Sequence, residues 1–385
     1  MSRFLFVVPP LVGHVNPAVA VAAELAAGGH RVAWAGHPEF VRALAGPAAR
    51  VYDCGAPADV RRPPELRGVA ALRFLWEEFF APLAEAMAPG VERAVDDFRP
   101  DVVVADQQAL AGALVAERMG VPYATSATTS AEFTDVLAGM PKVDEWVHGL
   151  LGDLRTKLGD PARRHDPRFS PDLVLAFTTG ALVGERTREA AFVGPAVAHR
   201  TDGGPFPWEW LDPDRHTVLV SLGTANTDVG ARFLTACAEA VRERAGRVQA
   251  VIADPGGALD TIPDADVLVL PRVPQLDLLP HLSAVVCHAG HNTVAESLWH
   301  GVPLVVAPIR DDQPVVAAQV TTAGAGVRVR FGRSDSTRLG AALDTVLDGP
   351  DCRAGAARVR DSFRAAGGAA AAATHLQQLA KEATR

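Results

Sequence analysis

The chain has 385 residues, 48% of them hydrophobic and 21% charged, with a formal net charge of −8 at pH 7. That length predicts about two domains, each large enough for its own core. The acidic balance argues against nucleic acid or an anionic membrane as a main partner, and the composition is that of a soluble globular protein.

Cys54, Cys237, Cys287 and Cys352 are far apart and lack metal or redox spacing. They fit reduced thiols in a cytoplasmic protein. The apolar N-terminus is interrupted by Pro9, Pro10 and His14, so neither stable membrane insertion nor a signal peptide is expected. Arginine far outnumbers lysine, which reads as coding bias rather than function.

Arg3 to Val8 is a continuous apolar run suited to a strand buried on both faces. A turn through His14 leads to Asn16-Pro17, expected as helix cap and first helical residue, with the helix running over Ala18 to Ala27. His30 to Gly36 is the next strand. This βαβ opening lacks the G-x-G-x-x-G turn of dinucleotide sites. Gly68 to Phe98 reads as mostly helical, bent at Pro82 and carrying Phe74, Trp76, Phe79 and Phe80. Those aromatics suit a core or a ligand wall. Strands are expected over Asp101 to Ala105, 122–126 and Leu173 to Phe177, with helices over 108–119 and 130–158, the latter broken at Gly139 and Pro141.

From Gly194 to Arg215 the periodicity is lost, and the turn-rich stretch after Pro195 reads as a linker. The pattern then restarts. Strands are expected at His216 to Leu222, Gln249 to Ile252, Val267 to Leu270, Ser283 to Val286, Pro303 to Ala307 and 326–330, interleaved with helices. Two βα arrays predict an N-terminal domain over 1–195, a linker over 196–215, a C-terminal domain over 216–364 and a last helix over 365–385. That helix is expected to pack back on the first domain or to fray. The fold class is α/β, two facing doubly wound domains with a cleft between them.

Open parallel sheets bind ligands beyond the carboxyl ends of their strands, where the winding reverses. The polar residues fall at such ends. His14 follows the first strand and Asp106 ends the fourth, making a base oriented by a carboxylate. Singly, each is better explained by packing or capping; as a pair they favour function. In the second half, Ser221-Leu222-Gly223-Thr224 ends the first strand and Cys287-His288-Ala289-Gly290-His291-Asn292-Thr293 ends the fourth. A strand, a tight turn and a helix start at Thr293 make an anion site, with Asn292 and Thr293 as capping residues and His288 as a further donor, or equally, on local chemistry alone, an ordinary strand-to-helix connection with a core histidine. The loop Arg310-Asp311-Asp312-Gln313 offers a carboxylate and an amide suited to two sugar hydroxyls, or a plain helix cap. Asp212/Asp214 and Asp264/Asp266 lie in turn-like segments and read as solvated acids, so no metal is expected.

Gly13-His14-Val15-Asn16-Pro17, Asp106, Val273-Pro274-Gln275, His288-x-Gly290-x-Asn292-Thr293-x-x-Glu296 and Asp312-Gln313 occur in an order that resembles glycosyltransferase family 1, the nucleotide-sugar-dependent enzymes of GT-B fold. The similarity is greatest to its bacterial macrolide and natural-product subgroup. The resemblance implies His14 as general base and Asp106 as its partner. It implies that Thr224, His288, Asn292 and Thr293 hold the diphosphate, that Gly290 belongs to the same donor nucleotide site, that Glu296 bonds the ribose, and that Val273 and Gln275 line the base pocket. Asp312 and Gln313 would grip the donor sugar. Where the family often has a base-stacking Trp, this chain has Arg272, whose guanidinium plane can also stack on a pyrimidine; uridine and thymidine nucleotides both remain open.

The expected activity is therefore an inverting, metal-independent transfer of a sugar from a UDP- or dTDP-sugar to a hydroxyl of a small hydrophobic acceptor. The nucleotide sugar is a co-substrate and no cofactor is expected. The variable helices, about 64–98 and 129–158, would form the acceptor pocket, with Trp76, Phe79 and Phe80 as candidate walls. A carotenoid or other lipid-like acceptor is the alternative. A catalytically silent helper of the same fold would be expected to lose His14 or the His288 segment, and both are present. A homodimer is compatible with the sequence.

Overall fold

The computed structural model describes the chain apart from residues 56–62, 64–65, 67, 135–138, 198–203, 224–229, 260–263 and 384–385. The chain divides into two compact units, one of Met1–Thr179, Arg186–Ala198 and Ala366–Arg385, the other of Gly180–Glu185 and His199–Ala365.

The first unit is built on a seven-stranded sheet: β1 (Arg3–Val7), β2 (Arg31–Gly36), β3 (Val51–Asp53), β4 (Val102–Asp106), β5 (Tyr123–Ala127), β6 (Leu173–Ala176) and β7 (Ala191–Phe192). Its order is β3-β2-β1-β4-β5-β6-β7, every pair parallel, so the winding reverses between β1 and β4. Both faces are covered, which is why the strands read as unbroken apolar runs. Alternate residues sort onto the two faces. Phe4, Phe6, Val102 and Val104 join the helices Val12–Ala27 and Gly368–Glu382, while Leu5, Val7, Val103 and Ala105 join Ala81–Phe98 and Leu110–Met119. The Ala-rich terminal helix is thus part of a core, anchored by Leu376 with Ala369, Ala372, Ala373 and Ala380. Small side chains let it lie close against the Val12–Ala27 helix.

The second unit holds β8 (His216–Ser221), β9 (Val248–Ala253), β10 (Val267–Leu270), β11 (Ala284–Cys287), β12 (Leu304–Val306) and β13 (Gly326–Arg328). This parallel sheet runs β10-β9-β8-β11-β12-β13, with its reversal between β8 and β11. Helices Ala231–Arg242 and Ser336–Asp348 close one face through Phe233, Leu234, Leu339 and Leu343.

Several local expectations need correction. The first helix starts at Val12, not after Asn16, and carries Pro17 in its interior. Pro17 is the sixth residue, so its missing N–H removes an early hydrogen bond without ending the helix. No simple proline bend divides Gly68 to Phe98. A π-helical stretch, Leu75–Phe80, joins two α-helical parts just ahead of Pro82, and the Ala81 N–H reaches back five residues to the Trp76 carbonyl. The expected 130–158 helix is a short 3-10 turn at Ser130–Phe133 and a separate helix from Pro141 to Leu158. β3 and β7 escaped notice because three and two residues carry no readable alternation. The linker region contains a 3-10 turn at Trp208–Trp210. No helix among the described residues is long and apolar enough to cross a membrane.

Candidate active site

At the reversal of the first sheet, β1 feeds directly into the helix that carries His14 in its first turn, and β4 ends on Asp106 beside it. The His14 Nδ1 lies 3.0 Å from both Asp106 carboxylate oxygens. The Asp106 side chain is fully buried and His14 keeps 15% exposure. Asp106 does not cap the next helix, which starts at Leu110 behind Ala109; instead its Oδ1 accepts the Gln108 backbone N–H at 2.8 Å. A carboxylate can only accept, so the nitrogen facing it carries the proton and Nε2 is the basic atom.

Thr128 was not anticipated. It sits just past β5, buried, with its hydroxyl oxygen 2.7 Å from the His14 Nδ1 and 3.2 Å from Asp106 Oδ2. Nothing in the local sequence marks it, since only the register of β4 on β5, which pairs Asp106 with Ser126, brings it there.

At the reversal of the second sheet, Ser221 pairs with Cys287 and Cys287 with Val306, which sets three strand ends side by side. The helix after β11 runs from His291 to Trp299 with Gly290 as N-cap, so Asn292 and Thr293 lie in its first turn rather than capping it. No capping side chain stands at Gly290, and the first-turn amides carry the positive end of the helix dipole. The His288 ring explains two glycines. A Cβ on Gly223 would stand 2.7 Å from its Cε1, and one on Gly290 would stand 2.3 Å from its Nε2. Burial pushes the His288 imidazole down to about 4; the Ser221 backbone opposes this and the Arg310 guanidinium adds to it. His288 is therefore neutral near pH 7 rather than a cation.

Two of the three non-glycine residues with left-handed backbone among those described, Ala289 (φ 65°) and Asp311 (φ 59°), follow β11 and β12. Such strain costs about 1–3 kcal/mol each and gathers at functional sites. Asp312 occupies the N-cap position of the helix Gln313–Thr322 without capping it. The Gln313 Oε1 accepts the backbone N–H groups of Ile309 and Arg310 at 2.9 and 3.0 Å, which fixes the loop. Gln275 donates to Glu296 Oε2 at 2.6 Å, and Glu296 is buried. Val273 is half-buried and Arg272 is exposed. Thr224 lies outside the described residues.

The candidate acceptor aromatics are placed differently. Trp76 and Phe80 are buried in a cluster with Leu110, Leu114, Val147 and Leu151, and only Phe79 is half-buried at its edge. Asp264 is paired with Arg242 at 2.7 Å and caps the Asp266 and Val267 amides, and Asp266 pairs with Arg215. Among the described residues no group of three His, Cys, Asp or Glu side chains could hold a metal ion.

Residues 189–360 match the family model described as UDP-glucoronosyl and UDP-glucosyl transferase. The chain is 31% identical to 4'-demethylrebeccamycin synthase of Lentzea aerocolonigenes, over 94% of this chain and 96% of that protein. It belongs to that glycosyltransferase family. Demethyllactenocin mycarosyltransferase of Streptomyces fradiae is 29% identical to this glycosyltransferase, covering 98% of this chain and 87% of the relative. The spinosyn rhamnosyltransferase SpnG, solved with thymidine diphosphate, superimposes with a TM-score of 0.76 over 97% of this chain and all of that one, at 24% identity. The fold is GT-B.

Proposed function

We propose that this glycosyltransferase is an inverting O-glycosyltransferase, moving a sugar from a UDP- or dTDP-sugar to a hydroxyl of a small polyketide- or macrolide-like natural product. The observation that carries the reading is the 3.0 Å contact of His14 Nδ1 with a fully buried Asp106, which leaves Nε2 as the base. In this reading Nε2 takes the acceptor proton, the acceptor oxygen attacks the anomeric carbon, and the bond to the diphosphate breaks. Asp106 orients the ring and stabilises the imidazolium that forms.

The leaving diphosphate would meet the first-turn amides at Asn292 and Thr293, with His288 as a neutral donor, and Thr224 from the resemblance alone. Helix amides in place of a cation make the reaction metal-independent. Glu296, held by Gln275, would take the ribose hydroxyls, with Arg272 and Val273 beside the base. Asp312 and the amide nitrogen of Gln313 would take sugar hydroxyls, since the Gln313 oxygen already holds the loop. SpnG's thymidine diphosphate supports dTDP-sugars as donors. The residues up to 195 would bind the acceptor and those of 216–364 the donor. Trp76 and Phe80 as core residues weaken the aromatic case for a lipid-like acceptor. The four buried free thiols suit a cytoplasmic setting.

The test is a screen of UDP- and dTDP-sugars against polyketide and macrolide aglycones, in chelator, with the anomeric configuration of each product read by NMR. Products of inverted configuration are expected without added divalent ions. Strict dependence on magnesium or manganese would remove the metal-free site, and retained configuration would remove the direct displacement.

A further inference from the structure

We infer that Thr128 is a positioning residue for the transfer reaction, the third member of a hydrogen-bonded set with His14 and Asp106. The inference rests on His14 being the base. Each carboxylate oxygen of Asp106 has one donor of its own besides the histidine. Oδ1 accepts the Gln108 backbone N–H at 2.8 Å, and Oδ2 accepts the Thr128 hydroxyl at 3.2 Å. These two donors at fixed positions, together with the histidine N–H shared by both oxygens, set the rotation of the carboxylate plane about Cβ–Cγ.

Thr128 also acts on the ring. Its oxygen, 2.7 Å from His14 Nδ1, is nearer than either carboxylate oxygen at 3.0 Å. A single N–H thus points among three oxygens, and their combined pull fixes the rotation of the imidazole and hence the direction of Nε2. The hydroxyl can serve both neighbours because it has one proton to give and lone pairs to receive. It donates to Oδ2 and accepts from Nδ1–H. Burial matters as well: Thr128 is 4% exposed and Asp106 2%, so water does not readily replace the lost group in a variant. During transfer the acceptor proton moves to Nε2 while Thr128 keeps its own. Its contribution is the orientation of the base and a steady partner for the carboxylate as positive charge develops on the ring.

The experiment compares the full chain with Thr128→Val, which keeps the shape and removes the hydroxyl, and with Thr128→Ser, which keeps the hydroxyl. Nitrogen NMR of labelled histidine should show one His14 tautomer, protonated at Nδ1, in the wild type and the Ser variant. The Val variant should show a mixture. Release of nucleoside diphosphate from dTDP-glucose, with water and then with the acceptor from the screen, should fall in kcat on the order of 10- to 100-fold in the Val variant. Its KM values should stay within about twofold, and the Ser variant should recover most of the rate. The acid limb of the pH–rate profile should move in the Val variant alone. If Thr128→Val is poorly folded by circular dichroism, Thr128→Ala takes its place against Ser. An unchanged tautomer and pH profile in the Val variant, with His14→Ala inactive, would overturn the role of Thr128 and leave the base standing. Wild-type rates in His14→Ala would remove the base itself. A higher donor KM at unchanged kcat would make Thr128 a substrate contact instead.

Discussion

The two sheets place a histidine at their winding reversals in opposite ways. In the first, His14 comes from the chain after the first strand and meets a carboxylate at the end of the fourth. In the second, His288 comes from the end of the fourth strand and meets a glycine, Gly223, after the first. One ring is held by charge and hydroxyl groups, while the other is packed between two α-carbons beside an arginine. The same residue type at the same topological position therefore suits proton transfer in one unit and neutral hydrogen bonding in the other. The partner decides, not the strand.

The comparison breaks most visibly at His14. His14→Ala should lower transfer by roughly 100- to 10,000-fold, the usual range for a lost general base. Nucleoside diphosphate affinity, measured by calorimetry, should be nearly unchanged. Equal loss of both would mean that the division into acceptor and donor units is wrong.

Much of this contrast was legible in the sequence, and the part that was not has a physical reason. His14, Asp106, His288 and Glu296 sit at fixed offsets from apolar runs, so their places at a strand end or on the helix that follows it come from the runs. Thr128 depends on which strand lies beside β4, and Gly223 on how closely one turn approaches another; neither is a local property. Helix starts were misjudged where a proline or a capping residue gave a strong local signal. Pro17 lies inside its helix and Gly290, not Asn292, is the cap, because tertiary packing of Val15 and His291 extends both helices. Trp76 and Phe80 show the same limit from the other side: aromatic spacing could not separate a ligand wall from the core.

An intermediate effect is expected within the second unit. Glu296→Ala should weaken nucleoside diphosphate binding by about 1.5–3 kcal/mol, since a ribose hydroxyl loses a charged partner and Gln275 loses its acceptor. Asp312→Ala should weaken the nucleotide sugar while leaving the free nucleoside diphosphate almost unaffected. Calorimetry of both variants with both ligands separates the roles. Equal weakening of the two ligands by Asp312→Ala would show that Asp312 does not touch the sugar and that the proposed orientation is reversed.

The smallest effect concerns the protonation of His288. An unfolded chain protonates this histidine as pH falls through about 6.5, whereas the folded ring stays neutral down to about 4. Over that window the unfolded state binds more protons, so stability falls as pH falls; the full contribution is present above 6.5. The cost should be on the order of 1 kcal/mol between pH 7.5 and 6. Carboxylates and other histidines titrate too, but they do so equally in His288→Gln. The readout is the urea unfolding free energy of both proteins across this range. The wild type should lose stability relative to the variant by that amount as the pH is lowered. Parallel curves would mean that His288 titrates alike in both states. The glycine-packed ring would then be no drier than an exposed one, and its contrast with His14 would rest on geometry alone.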